Sequence, residues 1–245
     1  MSGADRAHMR DPAYVREQYA SEEGLAARSS LYGETTGPFA GDVAFDAVAE
    51  ASPGRMLEVG CGNGWFSARV QRELGVAVVA IDQSERMVEL ARVEGVDARV
   101  ANVQALPFAD GEFDLVAANW MLYHVADLDR GLAEISRVLT PGGRLVAITN
   151  GKDHLLELWR LVGAEETRLW RDVSFGAENG AEILARHFRD VELWDSSGTV
   201  VITGREAVVR YVESSKTWKH LADRVPARVD RFIARRSNVV FVATA

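Results

Sequence analysis

The chain has 245 residues, 47% of them hydrophobic and 26% charged, which is enough for one sizeable core and excludes collagen-like, coiled-coil and disordered readings. Its 36 acidic against 28 basic residues give a net charge of −8, which argues against a nucleic-acid partner. One cysteine, Cys61, excludes a disulfide framework and a cysteine-only metal cage and fits a reducing, cytoplasmic compartment, while no run approaches the roughly 18 apolar residues that would predict a membrane partner.

Residues 1–52 read as an N-terminal helical cap or lid: two helices joined by YGETTGPFAGD, whose glycines and Pro38 suit a hinge. From 53 to 150, short apolar runs alternate with amphipathic stretches, the pattern of repeated βαβ units on a parallel sheet. The strands are predicted at Arg55–Gly60, Val76–Ile81, Ala98–Ala101, Phe113–Ala118 and Arg144–Thr149. Helical spacing falls between them, over Trp65–Leu74, over Glu85–Val93 with Ser84 as N-cap, and over Leu128–Leu139, which stops at Pro141-Gly142-Gly143. Residues 151–245 hold the remaining strands around a helical insertion. That region reads as mostly helix to residue 238, with a strand pair near Val191–Trp194 and Thr199–Ile202, and a last apolar run, Val239–Ala243, returning to the sheet edge.

The first strand runs directly into Gly60-Cys61-Gly62-Asn63-Gly64 and then a helix, so glycines stand where the backbone must turn tightly and let a ligand approach. Asp82 ends the next strand, about 20 residues after Gly60, where a carboxylate hydrogen-bonds both hydroxyls of a ribose. A dinucleotide loop would place its third glycine at position 65. Trp65 stands there and would crowd a pyrophosphate, and Glu58, just before the loop, repels phosphate and suits a cation. S-adenosylmethionine, a phosphate-free nucleoside with a sulfonium and an ammonium, meets both conditions.

The segments MLEVGCGNGWFS, AIDQSERMVELA, NVQALPFADGEFDLVAANWMLYHVAD and ISRVLTPGGRLVAI, in this order over roughly residues 54–150, resemble the motifs of the class I S-adenosylmethionine-dependent methyltransferases of small-molecule type. The resemblance implies an α/β fold: a Rossmann-like, seven-stranded, mostly parallel sheet with helices on both faces, plus helical N-terminal and C-terminal capping insertions. It implies S-adenosylmethionine as cofactor, with Glu58, Gly60, Gly62 and Gly64 shaping the pocket for its methionine end and Cys61 packing within the loop. Asp82 would take the ribose hydroxyls, Gln83 and Met87 would flank the adenine, and Asn102 with Val103 would meet its edge. The family commonly has aspartate where Asn102 stands, and a neutral amide carbonyl accepts that hydrogen bond more weakly. Asn119, at the end of the fourth strand, would face the methyl group.

Methyl transfer from a sulfonium is an in-line displacement, for which alignment alone can supply effective molarities of about 10⁵ to 10⁸ M. A general base adds roughly 10² to 10⁴ only when the acceptor arrives protonated. His124 and His154, both at the carboxyl edge of the sheet, are the catalytic candidates, and Tyr14, Tyr19 and Tyr32 are placed to hold a small-molecule acceptor methylated at oxygen, nitrogen or carbon. Trp159, Trp170, Trp194 and Trp218 offer flat apolar surface, chiefly to the core. His8, His187 and His220 have no neighbours at ligand spacing, so no metal is expected. No feature of the sequence sets an oligomeric state. Two rival readings are a non-catalytic binding protein that keeps the cofactor fold and an NAD(P)-dependent oxidoreductase, against which Trp65 and Glu58 argue.

Overall fold

Leu57 and Val59 pack to one side of the strand Arg55–Val59 and Met56 to the other, and this two-sided burial recurs along the neighbouring strands. Strands that are apolar on both faces need helices on each. The computed structural model describes residues 10–19, 23–164 and 174–245; His8 and Trp170 lie outside them. In chain order its elements begin with α1 (Pro12–Gln18), α2 (Glu23–Ser29), β1 (Glu34–Thr36), α3 (Ala40–Ala51), β2 (Arg55–Val59), α4 (Trp65–Leu74), β3 (Ala77–Asp82), α5 (Glu85–Val93) and β4 (Asp97–Val100). They continue with β5 (Phe113–Asn119), α6 (Leu128–Val138), β6 (Leu139–Asn150), α7 (Leu156–Leu161), α8 (Gly180–Leu184), β7 (Arg189–Asp195), β8 (Gly198–Ile202), α9 (Arg205–Glu213), β9 (Phe232–Arg236) and β10 (Asn238–Thr244).

A seven-stranded sheet runs in the order β4-β3-β2-β5-β6-β10-β7. The strands β2 to β6 are mutually parallel, and β10 is antiparallel to both of its neighbours. On one face Leu57, Val116, Leu145 and Phe241 pack with Leu132, Ile135 and Val138 of α6. On the other, Met56, Leu115, Val146 and Val240 pack with Ala44, Phe45 and Val48 of α3 and Phe66 and Val70 of α4. The fold is therefore the predicted Rossmann-like one. The chain moves outward from β2 through β3 to β4, then crosses back to β5 on the opposite side of β2. This reversal opens a crevice beyond the carboxyl ends of β2 and β5, the position at which open α/β sheets bind ligands.

Local signals account for the helix starts. The Ser84 hydroxyl accepts the Met87 N–H at the head of α5, and the Asp127 carboxylate accepts the Arg130 N–H at the head of α6. Within the expected N-terminal cap, α3 packs in the main core.

The C-terminal region differs from its sequence reading in two respects. The segments near Val191–Trp194 and Thr199–Ile202 do not pair with each other: β7 joins the large sheet beside β10, while β8 joins β1 and β9 in a separate antiparallel sheet. The Asp195 side chain accepts the Ser197 N–H and turns the chain between the two sheets. Val200 and Ile202 then bury in a cap core with Leu158, Trp159, Val208 and Trp218. The capping region is thus helical with a three-stranded sheet inside it. The last apolar run lies between β6 and β7 rather than at the edge, because residues 238–243 are all buried and need a neighbour on each side.

Arg236, at the junction of β9 and β10, is 2% exposed, and its Nη2 donates to the carbonyls of Thr36 (2.7 Å), Pro38 (3.1 Å) and Gly37 (3.3 Å). It pins the predicted hinge to the cap sheet. Arg236→Met should remove these bonds and cost about 1 to 3 kcal/mol. Hydrogen exchange is the check: protection should fall at residues 34–39 while amides of the large sheet keep theirs.

Candidate functional site

The bend after β2 is built on three glycines in left-handed backbone, with φ of +66° at Gly60, +55° at Gly62 and +81° at Gly64. At Gly60 a Cβ would stand 2.8 Å from Met121 Cβ, and at Gly64 it would stand 2.7 Å from Ala91 Cβ, so both positions are closed to any side chain. At Gly62 the same atom would meet only Leu25 Cδ1, at 3.9 Å, so this part of the bend faces the space beneath α2. Cys61 is buried, and burial beside Glu58 and Asp82 pushes its thiol well above the ordinary range. It packs within the bend.

Two carboxyl groups flank the bend. Asp82 Oδ2 accepts the Gly62 N–H at 3.0 Å and Oδ1 accepts the Ser84 N–H at 2.8 Å. Burial raises its pKa, and the backbone donors of Ser84, Gly62 and Gln83 pull it back. Glu58 lies deeper, at 2% exposure, with Oε2 accepting from Ser67 Oγ at 2.5 Å and Oε1 from Asn119 Nδ2 at 3.0 Å. Burial pushes this carboxyl up to about 7, against the opposing effect of the Ser67 and Asn119 hydrogen bonds. Asn119 Oδ1 is buried and has no hydrogen-bond partner among the described residues, so an acceptor is held ready at the end of β5.

Of the remaining residues expected at the cofactor, Gln83 is half-buried beside Asp82 and Met87 is fully buried in α5. Val103 is part of the core, and Asn102 Oδ1 accepts the Gln104 N–H at 2.9 Å, which fixes the turn after β4.

The N-terminal segment crosses this bend. Ser84 Oγ donates to the Tyr19 carbonyl at 3.0 Å, and Tyr19 Oη lies 3.1 Å from His124 Nε2. Tyr14 Oη meets Thr217 Oγ1 at 2.5 Å, and Gln18 bridges to the Ser214 carbonyl and the Lys216 N–H, so α1 is tied to the end of α9. Tyr32 Oη lies 3.1 Å from His154 Nε2, while His154 Nδ1 accepts the Ser237 N–H at 3.2 Å.

That last bond corrects the expectation of a catalytic His154. With Nδ1 accepting, the proton sits on Nε2, and burial pushes the ring's pKa down to about 4, so the imidazole has no free lone pair with which to remove a proton. Its work is to seat Tyr32 in the cap. Three participants were not anticipated from sequence. Ser67 had a visible signal, a hydroxyl on the apolar face of α4 one residue from Phe66. Trp120 stands at φ +53°, rare for a bulky residue, with Nε1 donating to Asn150 Oδ1 at 3.1 Å and its ring 6.1 Å from Phe39. Arg28 carried no signal beyond its place in the helix between Tyr19 and Tyr32.

Residues 57–147 match a family model described as a methyltransferase domain. The chain is 37% identical over 124 residues to malonyl-[acyl-carrier protein] O-methyltransferase from Erwinia pyrifoliae, covering 47% of this chain and 47% of that protein. Residues 57–147 thus carry a methyltransferase domain, and the chain is similar there to class I S-adenosylmethionine-dependent methyltransferases. A second relative, the ubiquinone biosynthesis O-methyltransferase of Parvibaculum lavamentivorans, is 30% identical over 164 residues, which cover 64% of this chain and 57% of that protein. The chain thus spans about half the length of the curated relatives it matches.

Solved structures of the same fold include the Haemonchus contortus phosphoethanolamine N-methyltransferase 2 in complex with S-adenosyl-L-methionine, with a TM-score of 0.60 at 19% identity over 96% of this chain and 59% of that one. The [4+2]-cyclase SpnF matches with a TM-score of 0.61 at 21% identity over 94% of each chain. Among the described residues, no helix is long and apolar enough to cross a membrane.

Proposed function

We propose that the chain transfers the methyl group of S-adenosylmethionine to a small-molecule acceptor by in-line displacement, in the cytoplasm. The donor set of the bend suits this ligand. Two carboxyl groups, Glu58 and Asp82, stand where a phosphate would be repelled and a cation attracted, and the orphaned Asn119 Oδ1 adds a further acceptor. The Asp82 oxygens hold the backbone N–H groups of Gly62 and Ser84, and a carboxylate has further lone-pair sites with which to accept a ribose hydroxyl. In this reading Gly60, Gly62 and Gly64 admit the methionine end against bare backbone. Gln83 and Met87 flank the adenine, and Asn102 and Val103 close its edge.

When bound, the cofactor supplies an electrophilic methyl on a sulfonium that leaves as a neutral thioether. The chain's part is to align and to exclude water. Asn119, fixed by its bond to Glu58, sets the methyl-bearing end, and Tyr14, Tyr19 and Tyr32 hold the cap over it. For an acceptor that arrives protonated, His124 takes the proton, since His154 is committed to Ser237. The relatives named above act on chemically different acceptors, so they supply the reaction class and not the acceptor. A net charge of −8 speaks for a metabolite rather than a nucleic acid, and the single buried cysteine for a reducing compartment.

The observation that carries the reading is the Asp82 carboxylate, held at the mouth of the glycine bend by Gly62 and Ser84. Asp82→Ala should weaken binding of S-adenosylhomocysteine by about 1 to 3 kcal/mol, the value of hydrogen bonds to a charged partner. Calorimetric titration measures this directly. An unchanged dissociation constant would place the ribose elsewhere, and tighter binding of NAD than of S-adenosylhomocysteine would overturn the reading.

A further inference from the structure

We propose that the methyl acceptor carries a carboxylate and that Arg28 receives it. The inference rests on the methyltransferase reading above and names the chemistry of its acceptor. Arg28, in the last turn of α2, has a buried Nη2 with no hydrogen-bond partner among the described residues, where its Nη1 reaches the Ser214 carbonyl, at 3.4 Å. Among the described residues no carboxylate pairs with it, although the chain has 36 acidic residues from which to draw one. A guanidinium nitrogen removed from water without a partner is costly, and the arrangement is relieved by an anion that enters with the ligand. A carboxylate is the best match, because two of its oxygens can meet two parallel N–H groups.

The surroundings of Arg28 place this charge with the acceptor. Its Cζ stands 5.4 Å from the centre of the Tyr19 ring, and Tyr19 in turn touches His124. Tyr123 and Tyr211 also lie within reach of the guanidinium charge, and Tyr211 is hydrogen-bonded to Tyr32. These four rings come from the C-cap of α1, the 3-10 turn at Ser30–Tyr32, the turn after β5 and α9, so they converge on one space from separate parts of the fold. Leu25, one turn earlier in α2, lies against Gly62, which sets Arg28 farther from the glycine bend, toward Ser214. The amino-acid end of the cofactor belongs at Glu58 and Asn119, so the Arg28 charge faces the other reactant. The aromatic walls favour a flat acid.

The test separates this proposal from the reading beneath it. Wild-type protein is first titrated with S-adenosylhomocysteine, and the saturated complex is then titrated with benzoate, salicylate and phenylacetate and with the neutral amide of each. At least one acid should bind about tenfold or more tightly than its amide, as expected for a charge-assisted bidentate pair. Arg28→Met should abolish that preference while its S-adenosylhomocysteine constant stays within about twofold of wild type, and Arg28→Lys should restore part of it. Equal binding of acids and amides by the wild type, or no binding of either, overturns the proposal, as does an Arg28→Met variant that keeps the preference. Loss of S-adenosylhomocysteine affinity in Arg28→Met also overturns it, by assigning the charge to the cofactor's own carboxylate. A wild-type chain that fails the first titration removes the underlying reading, and the acceptor assignment with it.

Discussion

Gly64→Ala is expected to lower the melting temperature by about 10 °C, from a cost of roughly 3 kcal/mol at about 2 to 4 °C per kcal/mol for a domain of this size. Gly64 is the N-cap of α4 at φ +81°, and an alanine there bears the left-handed penalty of about 1 to 2 kcal/mol. The new Cβ would also stand 2.7 Å from Ala91 Cβ and 2.8 Å from Ala91 Cα, a backbone atom of α5 that cannot rotate away. Separating α4 from α5 by the missing distance disturbs the cluster of Cys61, Ala68, Val88, Ala91 and Val96 and adds an overpacking cost of about 1 to 3 kcal/mol. Gly62→Ala is the control. It has the same backbone sign at φ +55°, but its Cβ meets only Leu25 at 3.9 Å, so it should lose about 1 kcal/mol and little more. Thermal unfolding of the two variants side by side decides the matter: equal losses would mean that α5 does not close on the bend as described.

The contrast between these glycines also shows what could be read from the sequence. The β2 turn, its three glycines and Asp82 were legible because each obeys a local rule: an apolar run, a tight turn, a carboxylate at the next strand's end. The central strands were legible because burial on both faces leaves continuous apolar sequence. The cap was not legible in the same way. Glu34–Thr36 is exposed along its length and is a strand only because Thr199, Val200 and Val201 lie beside it. The role of His154 is set by the backbone of Ser237, 83 residues away, and no spacing rule connects the two. Arg236 likewise acts on the carbonyls of residues 36–38, about 200 positions earlier. Such contacts are made by the return of the chain from one sheet to the other, and a sequence pattern carries period and propensity but not that return.

Cofactor affinity is expected to rise by about tenfold per pH unit from pH 5 to pH 7 and then level off, a total of about a hundredfold. The cause is Glu58, whose carboxyl is pushed up to about 7 by burial, with the nearby Asp82 charge adding to the shift. Below pH 7 the cofactor-free protein holds a proton there, and a cationic ligand in the adjacent bend favours the carboxylate, so binding must release that proton. The sign for stability is the reverse. With a folded pKa above the unfolded one, Glu58 contributes its stability in full below about pH 4.5 and loses it as the pH rises toward 7, since only the folded chain retains the proton over that interval. The cofactor-free protein therefore becomes less stable from this group across the range in which it binds its ligand better, which is how a buried carboxyl is kept ready for a charge that only the ligand brings. Glu58→Gln separates the two effects. It keeps hydrogen-bonding capacity toward Ser67 and Asn119 but cannot ionise, so its dissociation constant for S-adenosylmethionine should be flat from pH 5 to 7 and meet the wild-type value at the acid end. Calorimetry in two buffers of different ionisation heat should show about one proton released by the wild type at pH 6 and none by the variant. A variant that keeps the wild-type slope would move the titrating group to Asp82 and leave Glu58 as a neutral packing residue.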